Sequence, residues 1–470
     1  MNDMQRAPIA PRPAPSPFGQ EAPAASAPLS AWYALFAFCV AAILSYTDRQ
    51  ILSLLVDPLR MAMRLSDTQV SLLQGVAFAL IYAAAGLPLG RMADILPRRH
   101  VLVGGVLLWS VATICCGFAH SFAELFAARS VVGIGEAALA PAATAMIADY
   151  FSARQRGTAT SLFLMGQVVG GGLAIALGGA ILSLAGSRAF AALPLIGGLP
   201  AWRVTLMILG CPGIVVACLL MAIQEPPRRA PADAAKVAAK VAAGEAARLL
   251  MARRRRLVPL YGAMAMLSVG DFSLQNWFPT LLARQFGMTP GQIGADLGTA
   301  AIAGAMIGTV SAGLLSDRRA ARGGAVSRLP IAIVAAGLAA PGAAILFAPA
   351  AGWAIGLFML WIVMSNAAGA IGITAVQELA PDAARGVALA LISVFNMSVG
   401  LSFGTTATAM LADHVYLGPS GLAASITTVA LPAALMGMGL FRLAARACTV
   451  ADGRIVSDAS PASASPARCS

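Results

Sequence analysis

The segment from Ala31 to Val56, AWYALFAFCVAAILSYTDRQILSLLV, is apolar over a length that crosses a bilayer, apart from one adjacent acid and base, Asp48 and Arg49. A helix needs about 20 apolar residues to traverse the hydrocarbon core. A charge near the bilayer centre costs roughly 2.5 to 3.5 kcal/mol even on lenient insertion scales, so such side chains normally face a polar cavity and handle an ion or substrate. The stretch therefore predicts a spanning helix with a working polar site inside it.

The rest of the chain repeats the pattern. Its 470 residues are 59% hydrophobic and 11% charged, with a mean hydropathy of +0.79, against roughly 25% charge in soluble domains. Apolar runs of about 20 or more residues suit helices, not the roughly 10-residue alternating strands of a membrane barrel. Helices also satisfy their own backbone groups in lipid.

Punctuation by Pro, Gly and charge clusters places spans 1 to 6 near 31–56, 68–90, 99–119, 122–148, 156–185 and 202–224. Spans 7 to 12 follow near 257–285, 290–316, 328–349, 352–376, 384–412 and 421–446. The expected architecture is all-α and polytopic: twelve transmembrane helices in two pseudo-symmetric six-helix bundles, over 29–224 and 257–446. Residues 1–28, rich in Pro, Ala and Ser, and 447–470 are expected to be disordered cytoplasmic ends. Residues 225–256 form the linker, its Ala-rich middle either a helix on the inner leaflet or a solvated tether.

A formal charge of +12 raises the question of nucleic acid, and placement answers it. Most basic residues fall in the terminal segments, the linker and the even-numbered loops, including Arg91, Arg98, Arg99, Arg154, Arg156, Arg253 to Arg256, Arg318 and Arg319. The positive-inside rule then puts both termini in the cytoplasm. Scarce lysine beside abundant Ala and Arg points to a bacterial inner membrane. Seven scattered cysteines and three histidines show no metal-ligand spacing. No cofactor, metal site or nucleic-acid partner is expected, and the chain is expected to be a monomer.

The two halves echo each other, as internal repeats do. Gly90-Arg91-Met92-Ala93-Asp94 follows span 2, and Gly313-Leu314-Leu315-Ser316-Asp317-Arg318 follows span 8. Asp149 precedes Arg156-Gly157 after span 4, and Glu378 precedes Arg385-Gly386 after span 10 with the same spacing.

The run Gly86 to Asp94 with Arg98-Arg99 resembles the loop motif of the major facilitator superfamily, Gly313 to Arg318 resembles its second copy, and the likeness extends over all twelve spans. A narrower likeness is carried by Tyr46-Thr47-Asp48-Arg49, by Arg129-Ser130-Val131-Val132-Gly133-Ile134-Gly135-Glu136-Ala137, by Asp149 with Arg156, and by Trp202-Arg203 leading to Glu225-Pro226-Pro227. Together these resemble the Spinster subfamily, whose animal members are associated with export of lysolipids and sphingolipid phosphates. The Asp-Arg pair also resembles transporters of organic anions. The resemblance implies alternating access about a central cavity, with Gly90, Arg91, Asp94, Arg98, Arg99, Asp149, Arg156, Asp317, Arg318, Glu378 and Arg385 as conformational latches.

Helical rise puts Asp48 and Arg49 roughly 12 Å from the outer end of span 1, and Arg129 about 10 Å from that face in span 4. Asp48 is accordingly expected to pair with Arg129, leaving Arg49 toward the cavity. Glu136, two turns deeper than Arg129 on about the same face, is expected near the midplane. Desolvation favours a neutral carboxyl and a nearby guanidinium favours an ionised one, a balance that conformational change can tip. Glu136, with Asp48 as the other candidate, is the expected carrier of a coupling proton. Arg49 and Arg129 are expected to hold an anionic group, since Arg stays charged; both Arg129 and Asp48 also fit a structural ion pair. Asp271, Asn276, Asn366 and Asn396 complete the candidate substrate-binding set, although amides in membrane helices often bond between helices instead.

No phosphate-binding loop accompanies these charges, and no nucleophile, base and metal constellation does either. The expected function is secondary active transport, not enzymatic: proton-coupled movement of an anionic amphipathic or lipid-like substrate. Transport of a small organic anion uses the same arginines, and a transport-dead membrane sensor is the reading of another class.

Overall fold

The computed structural model describes residues 28–186, 198–227, 244–323, 325–381 and 384–458. Among them are twelve helices long and apolar enough to cross a membrane. Spans 1 to 6 are Leu29–Ser53, Asp67–Ala93, Arg98–Phe118, Phe122–Tyr150, Gln155–Ala185 and Ala201–Met221. Spans 7 to 12 are Arg254–Phe286, Pro290–Arg319, Leu329–Phe347, Ala351–Leu379, Arg385–His414 and Gly421–Thr449. No strand occurs among the described residues, and the two six-helix bundles agree with the expected fold.

The expected disordered ends lie mostly outside the described residues. Where they do not, the expectation is corrected: the last helix runs Gly421–Asp458, past Arg446. Residues 228–243 of the linker also lie outside the description. The stretch 244–252 is helical, and its Ala246 and Leu250 are buried in the same core as spans 7 and 10. Arg253 donates to the Leu379 carbonyl. This end of the linker is therefore docked on the second half.

Local chemistry sets several helix boundaries. Ser66 and Gln69 form a reciprocal capping box at the start of span 2. Span 2 breaks at Gly75, where an added Cβ would come 2.9 Å from the Leu401 carbonyl oxygen, so glycine lets spans 2 and 11 touch backbone to backbone. Span 7 ends at Gly287, whose φ of 65° is the left-handed conformation of a helix C-terminus. Span 11 contains a π-helical stretch, Asn396–Gly404, a geometry common at functional sites.

Packing divides the molecule along its long axis. At the face opposite the termini one continuous apolar core draws on both halves, from Ile51 and Leu73 to Trp277, Leu281 and Ile293. Toward the face carrying the termini there are two cores. One is built from the first half, with Phe272 and Leu401 intruding, and the other from the second half and the docked linker helix. The halves join at the opposite face and part toward the terminus face.

Charges and glycines reinforce that seam. Arg284 donates to Asp67 at 2.7 and 2.8 Å and to Asp57 at 2.6 and 2.8 Å. Asp413 accepts from the backbone N–H of Asp67 at 3.3 Å, from that of Thr68 at 2.7 Å and from the Thr68 hydroxyl at 2.7 Å, placing a carboxylate at the positive end of a helix. Spans 5 and 8 cross at backbone contact. A Cβ on Gly179 would lie 2.2 Å from the Pro290 carbonyl oxygen, and one on Gly298 would lie 2.9 Å from that of Gly172. Small residues permit this approach, which drives association where lipid offers no hydrophobic gain.

Candidate functional site

Successive residues on a helix are rotated by about 100°, so neighbours at 48 and 49 face different partners. Asp48 turns into the first half, where its Oδ2 accepts from the Thr113 hydroxyl of span 3. Arg49 turns toward the centre. Its Nη2 lies 2.8 Å from Glu136 Oε2, and its Nη1 lies 3.6 Å from the Met397 sulfur of span 11. Ser45, one turn earlier on the same face of span 1, donates to the same Glu136 oxygen at 2.7 Å.

Aromatic faces surround the guanidinium. Its central carbon lies 4.5 Å from the ring centroid of Phe78, 4.9 Å from Tyr46 and 5.4 Å from Tyr82, within the range of cation–π attraction. Glycines in span 4 make this arrangement possible. A Cβ on Gly133 would come 2.9 Å from the Phe78 carbonyl oxygen, and one on Gly135 would come 2.7 Å from that of Gly105. Span 4 is thereby pressed against spans 2 and 3, carrying Glu136 inward to meet Arg49.

The expected pairing is corrected: Arg49 does not stand free in the cavity but is paired with Glu136. Asp48 and Arg129 form no ion pair within 4 Å. Arg129 is 0% exposed, and all three of its guanidinium nitrogens lack an acceptor among the described residues. Asp48 Oδ1 and Glu136 Oε1 also have no hydrogen-bond partner among the described residues. Arg129 shares the Phe78 ring with Arg49, its central carbon 5.8 Å from the ring centroid. The site is one cluster of two carboxylates and two guanidiniums, formally neutral, with Glu136 1% and Arg49 7% exposed.

The remaining candidates divide between wall and frame. Asn276 is buried and donates to the Phe272 carbonyl at 3.1 Å and to Thr405 at 3.0 Å, tying span 7 to span 11. Asn366 is half-buried and donates to the Ile362 carbonyl of its own helix at 2.8 Å. Asn396 opens the π-helical stretch, and its Oδ1 has no partner among the described residues. Asp271 is half-buried and accepts from the Trp361 indole and the Ser365 hydroxyl. Ser45, Thr113 and Met397 escaped the sequence reading. The four-residue spacing of Ser45 and Arg49 was a usable signal for the first, and nothing marked the other two.

The residues expected to act as latches lie at the terminus face, and in this structure their described bonds stay within one half. Arg98 pairs with Asp149, while Glu225 accepts from the Arg98 backbone N–H at 2.8 Å. Arg99 donates to the Ile223 carbonyl at 3.3 Å, and Arg156 to that of Ala148 at 2.9 Å. In the second half Arg328 bridges Asp317 at 3.3 Å and Glu378 at 3.0 Å. Arg385 donates to the Gln377 carbonyl at 3.0 Å. Arg91 and Arg318 are exposed, Gly90 has room for a Cβ, and the Asp94 side chain lies outside the description. Arg98 with Asp149 and Arg328 with Glu378 are pseudo-symmetric equivalents, joining the start of spans 3 and 9 to the end of spans 4 and 10. Arg328 and Glu225 are members the loop motifs alone did not reveal.

Comparison with known proteins gives this arrangement its context. An MFS-type efflux pump of Mycolicibacterium smegmatis is 28% identical over 427 residues, covering 89% of this chain and 93% of that protein. Protein spinster homolog 1 of Homo sapiens is 29% identical over 195 residues, which is 41% of this chain and only 34% of that protein. A crystal structure of a bacterial homologue of the human lysosomal transporter Spinster, inward-facing and occupied, superposes with a TM-score of 0.75 at 24% identity, covering 93% of this chain and 100% of that one. The family model of the Major Facilitator Superfamily matches residues 38–405. With that match across both halves, the twelve-span fold and the Spinster-like motifs, the chain belongs to the major facilitator superfamily.

Proposed function

We propose that this superfamily member is a proton-coupled carrier of an anionic amphipathic substrate, and that Glu136 and Arg49 are its exchange point. The observation that carries the reading is the 2.8 Å pair between Arg49 and Glu136, set against span 11 of the other half through Met397. While Glu136 is ionised it occupies Arg49. A proton on Glu136 removes that negative charge and frees a permanently charged guanidinium, suited to bidentate contact with carboxylate or phosphate.

Charge balance makes the two events interdependent. Two carboxylates and two guanidiniums sum to zero, and an uncompensated charge in a poorly solvated site is costly. A proton alone or an anion alone unbalances the cluster, whereas the two together do not. Anion binding therefore favours protonation of Glu136, and protonation favours anion binding, by reciprocal linkage.

The positive-inside rule assigns the terminus face to the cytoplasm, so the parted halves correspond to an inward-facing state in an inner membrane. The seam of Arg284, Asp57, Asp67 and Asp413 then closes the external side. Rocking toward the other state breaks it and brings the cytoplasmic networks around Arg98, Asp149, Arg328 and Glu378 together as latches. Arg129 and Asp48 serve the site from within, through their charge. No step of this scheme needs a cofactor or covalent chemistry, and the reading is of a monomeric transporter and not an enzyme.

The test is a flux assay in proteoliposomes, with and without a pH gradient, comparing a lysophospholipid-like anion with a small organic anion. The account expects gradient-dependent flux of the amphipathic anion. Flux of the small anion alone would replace the substrate class, and flux indifferent to the gradient would remove the proton.

A further inference from the structure

Spans 2 and 4 run in the same direction and meet where a Cβ on Gly133 would touch the Phe78 carbonyl oxygen. One turn toward the external face, on those same sides of the two helices, stand Gln74 of span 2 and Arg129 of span 4. The break at Gly75 keeps this register, since its N–H still donates to the Ser71 carbonyl at 2.8 Å and its carbonyl accepts from Ala79 at 2.7 Å. The Arg129 guanidinium agrees with the level, lying 5.8 Å from the Phe78 ring centroid. Asp48 adjoins Arg49, whose guanidinium lies on the same ring.

All three side chains are sealed: Gln74 and Asp48 are 2% exposed and Arg129 is 0% exposed. Neither amide atom of Gln74, no guanidinium nitrogen of Arg129 and not Oδ1 of Asp48 has a hydrogen-bond partner among the described residues. Buried polar groups in folded proteins are nearly always bonded, and leaving one unbonded costs roughly 1 to 3 kcal/mol. Donors and acceptors thus share one level of the first half without touching.

The chemistry of the set selects what lies between them. Arg129 only donates, Asp48 Oδ1 as a carboxylate only accepts, and the Gln74 amide does both. An anion would serve the guanidinium but leave Gln74 Oε1 and Asp48 Oδ1 without donors, and it would add negative charge beside Asp48. A cation would meet Arg129 with like charge. Water donates and accepts, and it bridges buried polar groups that stand too far apart to bond directly.

We propose that Gln74, Arg129 and Asp48 bound an internal water-binding site in the first half. Through it Asp48 and Arg129 act as a water-separated ion pair anchored by the Gln74 amide. The site does not depend on which substrate or ion Glu136 and Arg49 exchange, so its test stands apart from that reading.

The test is X-ray radiolytic hydroxyl labelling of the purified transporter in nanodiscs, read by mass spectrometry, because radicals formed from bound water oxidise the side chains beside it. Phe78 should be oxidised although it is buried, and Phe278, equally buried in the apolar core shared by the halves, is the dry reference. Gln74→Leu should abolish the Phe78 signal. A Phe78 as inert as Phe278, or oxidation unchanged in Gln74→Leu, would overturn the proposal.

Gln74→Glu supplies a measurement that does not rely on labelling. Glutamate fits the same space and can pair with Arg129, so the variant should unfold at a higher temperature than Gln74→Leu. If Gln74 stood away from the guanidinium, the new carboxylate would be buried alone, which is strongly destabilising. Unfolding at or below the temperature of Gln74→Leu would therefore refute the placement. Exchange of chloride for gluconate should leave the unfolding temperature of the parent unchanged, and a fall would assign the site to an anion instead of water.

Discussion

Arg49 and Glu136 meet at 2.8 Å across spans 1 and 4, and the same guanidinium touches Met397 of span 11 at 3.6 Å. A carboxylate of the first half thus holds a cation at the boundary with the second. Any change in the charge of Glu136 is felt at the surface along which the halves move.

Replacing Arg49 by Lys should expose how much of this site depends on shape. The guanidinium stacks against Phe78, Tyr46 and Tyr82 while bonding to Glu136, and an ammonium cannot reproduce both contacts. Affinity for an anionic probe should fall by about tenfold or more, equivalent to roughly 1.4 kcal/mol, with the protein still folded. Equal affinity in calorimetric titration would show that a point charge suffices.

Arg284 should control which face is open. It joins Asp57 and Asp67 of the first half to span 7 of the second, and it is only partly exposed, so its bonds are less screened than those of surface pairs. Arg284→Ala should move the population away from the state described here. Spin labels at the external ends of spans 2 and 8 should report a larger fraction of long distances, whereas an unchanged distance distribution would mean the apolar core alone closes the seam.

A side chain at Gly179 should wedge spans 5 and 8 apart. Its Cβ would meet the Pro290 backbone at 2.2 Å, which no rotamer change relieves. Gly179→Val should lower thermal stability, with a cost of about 1 to 3 kcal/mol for overpacking, and slow transport. Gly157, with no atom near its would-be Cβ, is the control, and Gly157→Ala should leave both nearly unchanged.

The twelve spans were legible because hydropathy is a local property: length, Pro and Gly punctuation and charge clusters all act within about twenty residues. Helical rise set Asp48, Arg49 and Arg129 at matched depth with Glu136 two turns deeper, yet it is Arg49 that meets Glu136, and the pairing was not legible. Partner choice depends on the rotation of each helix and on how closely Gly133 and Gly135 draw span 4 inward, and matched depth alone favoured Asp48 with Arg129. Asn276 looked like a substrate contact for the same reason, because its partner Thr405 is far away in sequence. The seam of Arg284, Asp57, Asp67 and Asp413 passed unnoticed since each residue lies at a span end, where charge is ordinary. The one available signal was that these acids and this base share the side that the positive-inside rule leaves poor in basic residues.

The most direct test of the account is the pH dependence of anionic probe affinity in Glu136→Gln. The parent should bind hexyl phosphate more tightly as pH falls, because protonation of Glu136 releases Arg49, and more weakly as pH rises. Glutamine copies the protonated acid, so the variant should bind tightly at every pH and lose the dependence attributable to this site. A variant that keeps the parent's affinity and the parent's pH profile would contradict the exchange between Glu136 and Arg49.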